Sequence, residues 1–235
     1  SYIRMTLGLL ERIGVPVRGS PPGDVIIGHA SQPLRAFEYD VEADASGASY
    51  FVAIPSILPS SAATIEGLVQ GSLQGDSALA ALLAVTTQRG LPINADFADM
   101  PDVAMTAAVA AAFVPPAGPG DPCQPSTLRG LKTLRVKETD RIAALQTELA
   151  KIGVKVTAFA DGDDEAITIQ PPPGGIECSP NVPEVAFDTY DDHRMAMCLA
   201  LIGLRRPNVV INDPRCVGKT YQTYWRDLSR AISSR

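Results

Sequence analysis

Arg135-Val-Lys-Glu-Thr-Asp-Arg141 holds five charged residues in seven and runs into an apolar stripe at Ile142, Leu145, Leu149 and Ile152. The stripe predicts a helix over 137–152. On such a helix Lys137 and Arg141, four apart, share a face, and Glu138 lies three before Arg141. Two cations and one carboxylate then meet at one turn. One reading is a solvated helix start with i,i+4 pairs, which contribute little when exposed. The other is a pocket for a multiply charged anion, with the Glu138 carboxyl carrying a proton.

Other charges stand in comparable places. Asp102 opens a predicted helix, His193-Arg194 opens another behind Asp192, and Lys219 opens the last. A cation at a helix N-terminus opposes the positive end of the dipole, so its presence needs another cause. A bound phosphate or carboxylate supplies one, and the free N–H groups of the first turn add to the same site. Asp44 reads as a plain N-cap, a role worth about 0.5–2 kcal/mol. His193 reads first as a structural or hydrogen-bonding histidine. His29 lies in a loop and is assigned no role.

These residues are carried by a recurring pattern. A small-residue helix after Asp44 precedes a strand at 63–68 and a second helix at 76–88. A helix over 102–113 precedes a strand at 127–131, the helix at 137–152 and a strand from Val154. A helix over 192–201 precedes a strand at 208–212 and a helix at 219–232. Three α-β-α-β units point to an α/β domain made by internal triplication, with Pro- and Gly-rich loops at 115–125 and 161–183. An ordinary α/β domain with coincidental pattern is the alternative. Upstream, 3–14 reads as an amphipathic helix closed by Gly14, and 18–40 as short strands and turns, including Phe37–Val41. Residues 3–17 look like the end of one further unit, which is expected if the chain is the back portion of a larger protein.

Composition narrows the function classes. The 235 residues are 46% hydrophobic and 20% charged, enough for a substantial core. A net charge of −6 argues against nucleic acid or an anionic membrane surface as a general partner. Cys123, Cys178, Cys198 and Cys216 lack CxxC spacing, which fits reduced thiols better than a disulfide framework or a zinc site. No apolar run reaches about 18 residues, and the first residues do not read as a signal peptide, so the expected setting is cytoplasmic.

Five stretches together resemble the 5-enolpyruvylshikimate-3-phosphate synthase family: Asp44-Ala-Ser-Gly-Ala-Ser-Tyr-Phe51, Met100-Pro-Asp-Val-Ala-Met105, Arg135–Arg141, Asp191-Asp-His-Arg-Met-Ala-Met197 and Asp213-Pro-Arg-Cys-Val-Gly-Lys-Thr220. They occur in the family's order. The resemblance implies two similar domains, each an inside-out α/β barrel of three repeated units. Residues 1–40 would be the closing segment of an otherwise absent N-terminal domain, and 41–235 the C-terminal domain. It implies transfer of the enolpyruvyl group of phosphoenolpyruvate to the 5-hydroxyl of shikimate 3-phosphate, through a tetrahedral intermediate, on the way to aromatic amino acids. No metal or cofactor is implied, and the complete protein is expected to be monomeric.

By motif position the resemblance implies roles. Asp102 holds the shikimate hydroxyls and acts as base. Glu138 is the proton-transfer acid, and Lys137 contacts shikimate 3-phosphate and takes a catalytic part at the hydroxyl proton. Arg141 and Arg194 clamp the phosphoenolpyruvate carboxylate, Lys219 neutralises its charge, and Tyr2 lies beside the shikimate ring. Thr133 and Asp191 depart from asparagines common in the family. The alternatives are the sister enzyme that transfers enolpyruvate to UDP-N-acetylglucosamine, and a catalytically incomplete domain that binds a ligand or partner.

Overall fold

The computed structural model describes residues 2–30, 34, 36–59, 61–69, 71–118 and 121–233. Its centre is set by small side chains. All nine residues of α5, Ala104–Ala112, are buried, because an alanine-rich helix presents no bulk on any side and neighbours can close around it. Around it lie α7 (His193–Ala200) and a four-stranded sheet in the order β3 (Asn94–Asp96), β4 (Ser126–Arg129), β6 (Asp164–Gln170), β5 (Lys155–Asp161). β3 and β4 are parallel, and the other pairs are antiparallel, with Leu128 opposite Ile167. Alternation along β4 and β6 buries Leu128, Ile167 and Ile169, the period-2 pattern of a half-buried sheet. The stripe foreseen at Ile142, Leu145 and Leu149 joins the same core from α6, Arg141–Ala150.

A second, parallel pair, β7 (Val185–Phe187) and β8 (Val209–Ile211), flanks α7. α2 (Ala45–Val52) packs against α3 (Ile54–Ile57) and α4 (Ala78–Val85), and α8 (Tyr224–Ser233) follows them last in chain order among the described elements. Tyr224 locks α8 down: it is edge-on to Tyr50 and Phe51, and its hydroxyl donates to the Met197 carbonyl at 2.7 Å. Ahead of these elements, α1 (Tyr2–Arg12) buries none of its residues, and β1 (Val17–Arg18) pairs antiparallel with β2 (Ile26–Ile27). No helix among the described residues is long and apolar enough to cross a membrane.

The element boundaries correct several expectations. α6 begins at Arg141, capped by the Asp140 carboxylate on the Ala143 N–H. Lys137 and Glu138 therefore precede the helix, and Lys137 is extended after a 3-10 turn at Lys132–Val136. Asp140, a strong cap type, outcompetes a start at 137. Asp102 sits in the 3-10 turn Pro101–Val103, ahead of α5. Lys219 ends the 3-10 turn Pro214–Lys219 instead of opening α8. Residues 61–69 and 37–41 form no strand, and Gly67 in the first stretch turns at φ +79. The expected loop 161–183 contains β6: Asp161-Gly-Asp-Asp164 is a tight hairpin with Gly162 at φ +62. The Gly162-Asp163 pair, the two-residue loop between the strands, is the available signal. Residues 31–33 and 35 of the expected strand-and-turn stretch lie outside the described residues.

Candidate active site

Asp102 is the hub. Pro101 fixes the turn that carries it, and the aspartate is buried at the mouth of α5. The Tyr2 hydroxyl donates to its Oδ2 at 2.5 Å. Lys137 Nζ and Arg141 Nη1 approach Oδ1 at 3.3 and 3.2 Å, and Arg194 Nη2 approaches Oδ2 at 3.3 Å. Burial pushes the Asp102 pKa upward, but Arg194, the Tyr2 hydroxyl, Lys137 and Arg141 outweigh it and hold the carboxyl below its usual range. Burial and the bond to Asp102 push the Tyr2 phenol up, so it donates rather than ionises.

Arg141 is the second centre, its side chain only 1% exposed. Nε donates to Asp192 Oδ2 at 2.8 Å, Nη2 to Glu138 Oε2 at 2.8 Å, and Nη1 to Asp102 Oδ1 at 3.2 Å. The planar guanidinium thus spans three carboxylates at once, each met by a different nitrogen of its rigid fork. Asp192 is fully buried and also caps α7, accepting from the Arg194 and Met195 amides at 2.8 and 3.4 Å. One carboxylate therefore sets the start of the helix that carries Arg194 and pins Arg141.

Glu138 closes the network. Its Oε1 accepts from Lys219 Nζ at 2.6 Å. The Lys219 hydrogen bond and the Arg141 charge hold the Glu138 pKa down at about 2, so it rests as a carboxylate. All seven site residues expected from sequence, Tyr2, Asp102, Lys137, Glu138, Arg141, Arg194 and Lys219, fall in this one connected set. Tyr2, Lys137 and Thr133 also line a cleft of about 350 Å³ with Pro21, Pro22 and Pro101.

Two carboxylates at the site went unassigned in the sequence. Asp192 was read only as a helix start. Asp76 is buried, accepts from Ser46 Oγ, and is pushed up in pKa by burial and by Asp102. Its position beside Asp102 comes from packing between distant segments and had no local signal. His193 is buried, its Nδ1 has no hydrogen-bond partner among the described residues, and burial lowers its pKa, which keeps the ring neutral at pH 7.

Residues 1–228 match the family model described as EPSP synthase (3-phosphoshikimate 1-carboxyvinyltransferase). The chain belongs to the EPSP synthase family. It is 40% identical to the 3-phosphoshikimate 1-carboxyvinyltransferase of Paraburkholderia phymatum, over 95% of this chain and 52% of that protein. It is 39% identical to the enzyme of the same name from a Sulfurovum species, over 99% of this chain and 53% of that one. The chain thus spans about half the length of these curated relatives. EPSP synthase from Acinetobacter baumannii shares the fold, with a TM-score of 0.60 at 21% identity, over 96% of this chain and 54% of that one. The enolpyruvyl transferase NikO from Streptomyces tendae does so with a TM-score of 0.56 at 15% identity, over 98% and 52%. These neighbours establish an α/β fold of the EPSP synthase and enolpyruvyl transferase kind.

Proposed function

We propose that this chain forms one wall of an active site that transfers the enolpyruvyl group of phosphoenolpyruvate to the 5-hydroxyl of shikimate 3-phosphate, releasing phosphate. The observation that carries this reading is the network itself. Four cations, Lys137, Arg141, Arg194 and Lys219, meet Asp102 and Glu138 from widely separated segments. Two anionic substrates need several cations, and proton transfer to and from carbon and oxygen needs carboxylates beside them. Tyr2 from α1 completes the Asp102 corner.

In this reading Asp102 holds the shikimate hydroxyls and takes the proton of the attacking one. Lys137 meets shikimate 3-phosphate in the cleft beside Thr133, and Tyr2 lies beside the ring. Arg141 and Arg194 hold the phosphoenolpyruvate carboxylate, and Lys219 its phosphate charge. Glu138 carries the proton for the methylene carbon. It starts ionised, so it first takes a proton from water, gives it to the methylene carbon as the hydroxyl adds, and takes one back from that carbon as phosphate leaves. Drawing Lys219 onto the phosphate weakens the pair that holds its pKa near 2 and brings the carboxyl toward the range where it can carry one. Residues 41–235 would form an inside-out barrel of three repeated units. Residues 1–40, with an α1 that buries nothing within this chain, would close a second domain. The whole protein would act as a cytoplasmic monomer without metal or cofactor.

The test is phosphate release by the full-length protein from phosphoenolpyruvate and shikimate 3-phosphate. Glu138→Gln is expected to lower turnover by about 10²–10⁴-fold. Undiminished turnover removes Glu138 from the reaction. Turnover with UDP-N-acetylglucosamine in place of shikimate 3-phosphate would favour the sister chemistry.

A further inference from the structure

Glu148 sits two helical turns past Arg141 on α6, fully buried, and none of the roles above uses it. Both of its oxygens are occupied. Oε1 accepts from the Tyr190 hydroxyl at 2.6 Å. Oε2 accepts from Lys151 Nζ at 2.7 Å and from the Asp188 backbone amide at 2.9 Å. Lys151 donates in turn to the Ala186 carbonyl at 3.0 Å and Asp188 Oδ2 at 3.1 Å. Asn212 of the segment after β8 holds Asp188 Oδ1 at 2.7 Å. Burial and the Glu148 carboxylate push the Tyr190 pKa up to about 12.

The segment gripped in this way is the turn from β7 into α7. Tyr190 and Asp191 are consecutive non-glycine residues at φ +57 and +55. L-residues adopt that conformation only when the surroundings hold them there. The next residue is Asp192, which caps α7 and receives Arg141. α6 therefore grips one turn from both ends: Arg141 at its first residue holds Asp192, and Glu148 near its last turn holds Asp188 and Tyr190. A small relaxation of Tyr190 and Asp191 would turn Asp192 away from Arg141 and tilt the start of the helix that carries Arg194.

We propose that Glu148 is a positioning residue: through Tyr190 and Asp188 it clamps the left-handed turn that presents Asp192 to Arg141 and aims Arg194 at the anion site. The catalytic consequence rests on the function proposed above, whereas the clamp itself does not. Tyr190→Phe removes one hydroxyl from a side chain that is 40% exposed, so the fold should survive it. Glu148→Gln keeps the shape and removes the charge.

In the full-length protein, Tyr190→Phe should speed hydrogen exchange of the Arg194 and Met195 amides about tenfold, the scale of one lost charge-assisted hydrogen bond, while β6 amides stay unchanged. The KM for phosphoenolpyruvate should rise by about the same factor, and the KM for shikimate 3-phosphate by less, since Arg194 and Arg141 reach that substrate only through Asp102. Glu148→Gln should move both readouts in the same direction and further. Unchanged exchange at Arg194 and Met195 overturns the clamp. Faster exchange with both KM values unchanged reduces Glu148 to a packing residue and overturns its positioning role. If the wild-type protein shows no turnover, the proposed function fails, and the exchange measurement still decides the clamp.

Discussion

Glu138 and Lys219 form the exposed edge of the site, and their pairing has a pH signature. The folded-state pKa of Glu138 lies at about 2, below its ordinary value of 4.5. A depressed carboxyl adds stability that is present above the unfolded value and is lost as pH falls through the folded one. That window runs from about pH 4.5 down to about 2. Lys219→Met should move the Glu138 pKa up toward its ordinary value, shrinking the contribution and shifting its loss to higher pH, as urea midpoints across pH 2–5 would record. Arg141 behaves differently because it is buried. Replacing it with Met leaves Asp192, also fully buried, without its cation, and should lower the unfolding free energy by about 3–5 kcal/mol. Equal urea midpoints for the variant and wild type would show that Asp192 finds other partners.

At the scale of elements, α5 and the turn after β4 hold the site in place. Ala108 is fully buried in a helix surrounded on all sides, so Ala108→Leu should destabilise by about 1–3 kcal/mol through overpacking. Gly130 ends β4 at φ +72, and a Cβ there would lie 2.3 Å from Asp96 Oδ1 and 2.5 Å from the Ala98 amide. Gly130→Ala meets backbone as well as left-handed strain, and a loss of at least about 1–3 kcal/mol is expected from the strain alone. Thermal unfolding of both variants checks this. α6, α5 and α7 were legible because small or periodic apolar runs have a length and a cap. β6 reads as loop because a hairpin in a Pro-, Gly- and Asp-rich stretch shows only once its pairing with β5 is known, and β7 is a three-residue strand whose parallel partner β8 lies 24 residues on in register. The strand expected at 63–68 has the composition for one, but among the described residues no strand pairs with it.

For the whole molecule, the chain spans about half of its curated relatives, and the proposed substrates carry more charge than one wall of a cleft can hold. Phosphate release by these 235 residues alone should therefore fall at least about 10²–10³-fold below that of the full-length protein, since missing electrostatic donors act on the transition state. Adding in trans the half of a curated relative that this chain does not cover should restore part of it. Robust turnover by the isolated chain would mean that this wall is sufficient.

The residues proposed for the site are singled out by the sequence. Charged clusters beside apolar stripes point to Asp102, Lys137, Glu138, Arg141, Arg194 and Lys219, and the family resemblance adds Tyr2. Their connection is not. Lys137 and Arg141 do not share a helix face, Lys219 opens no helix, and Asp192, Asp76 and Glu148 looked like ordinary acids. Ion pairing depends on distance in three dimensions, and Arg141 reaches across 39 residues to Asp102 and 51 to Asp192. Only the packing of α5, α6 and α7 brings those carboxylates around one guanidinium, and only that burial makes each pair strong enough to hold the others in place.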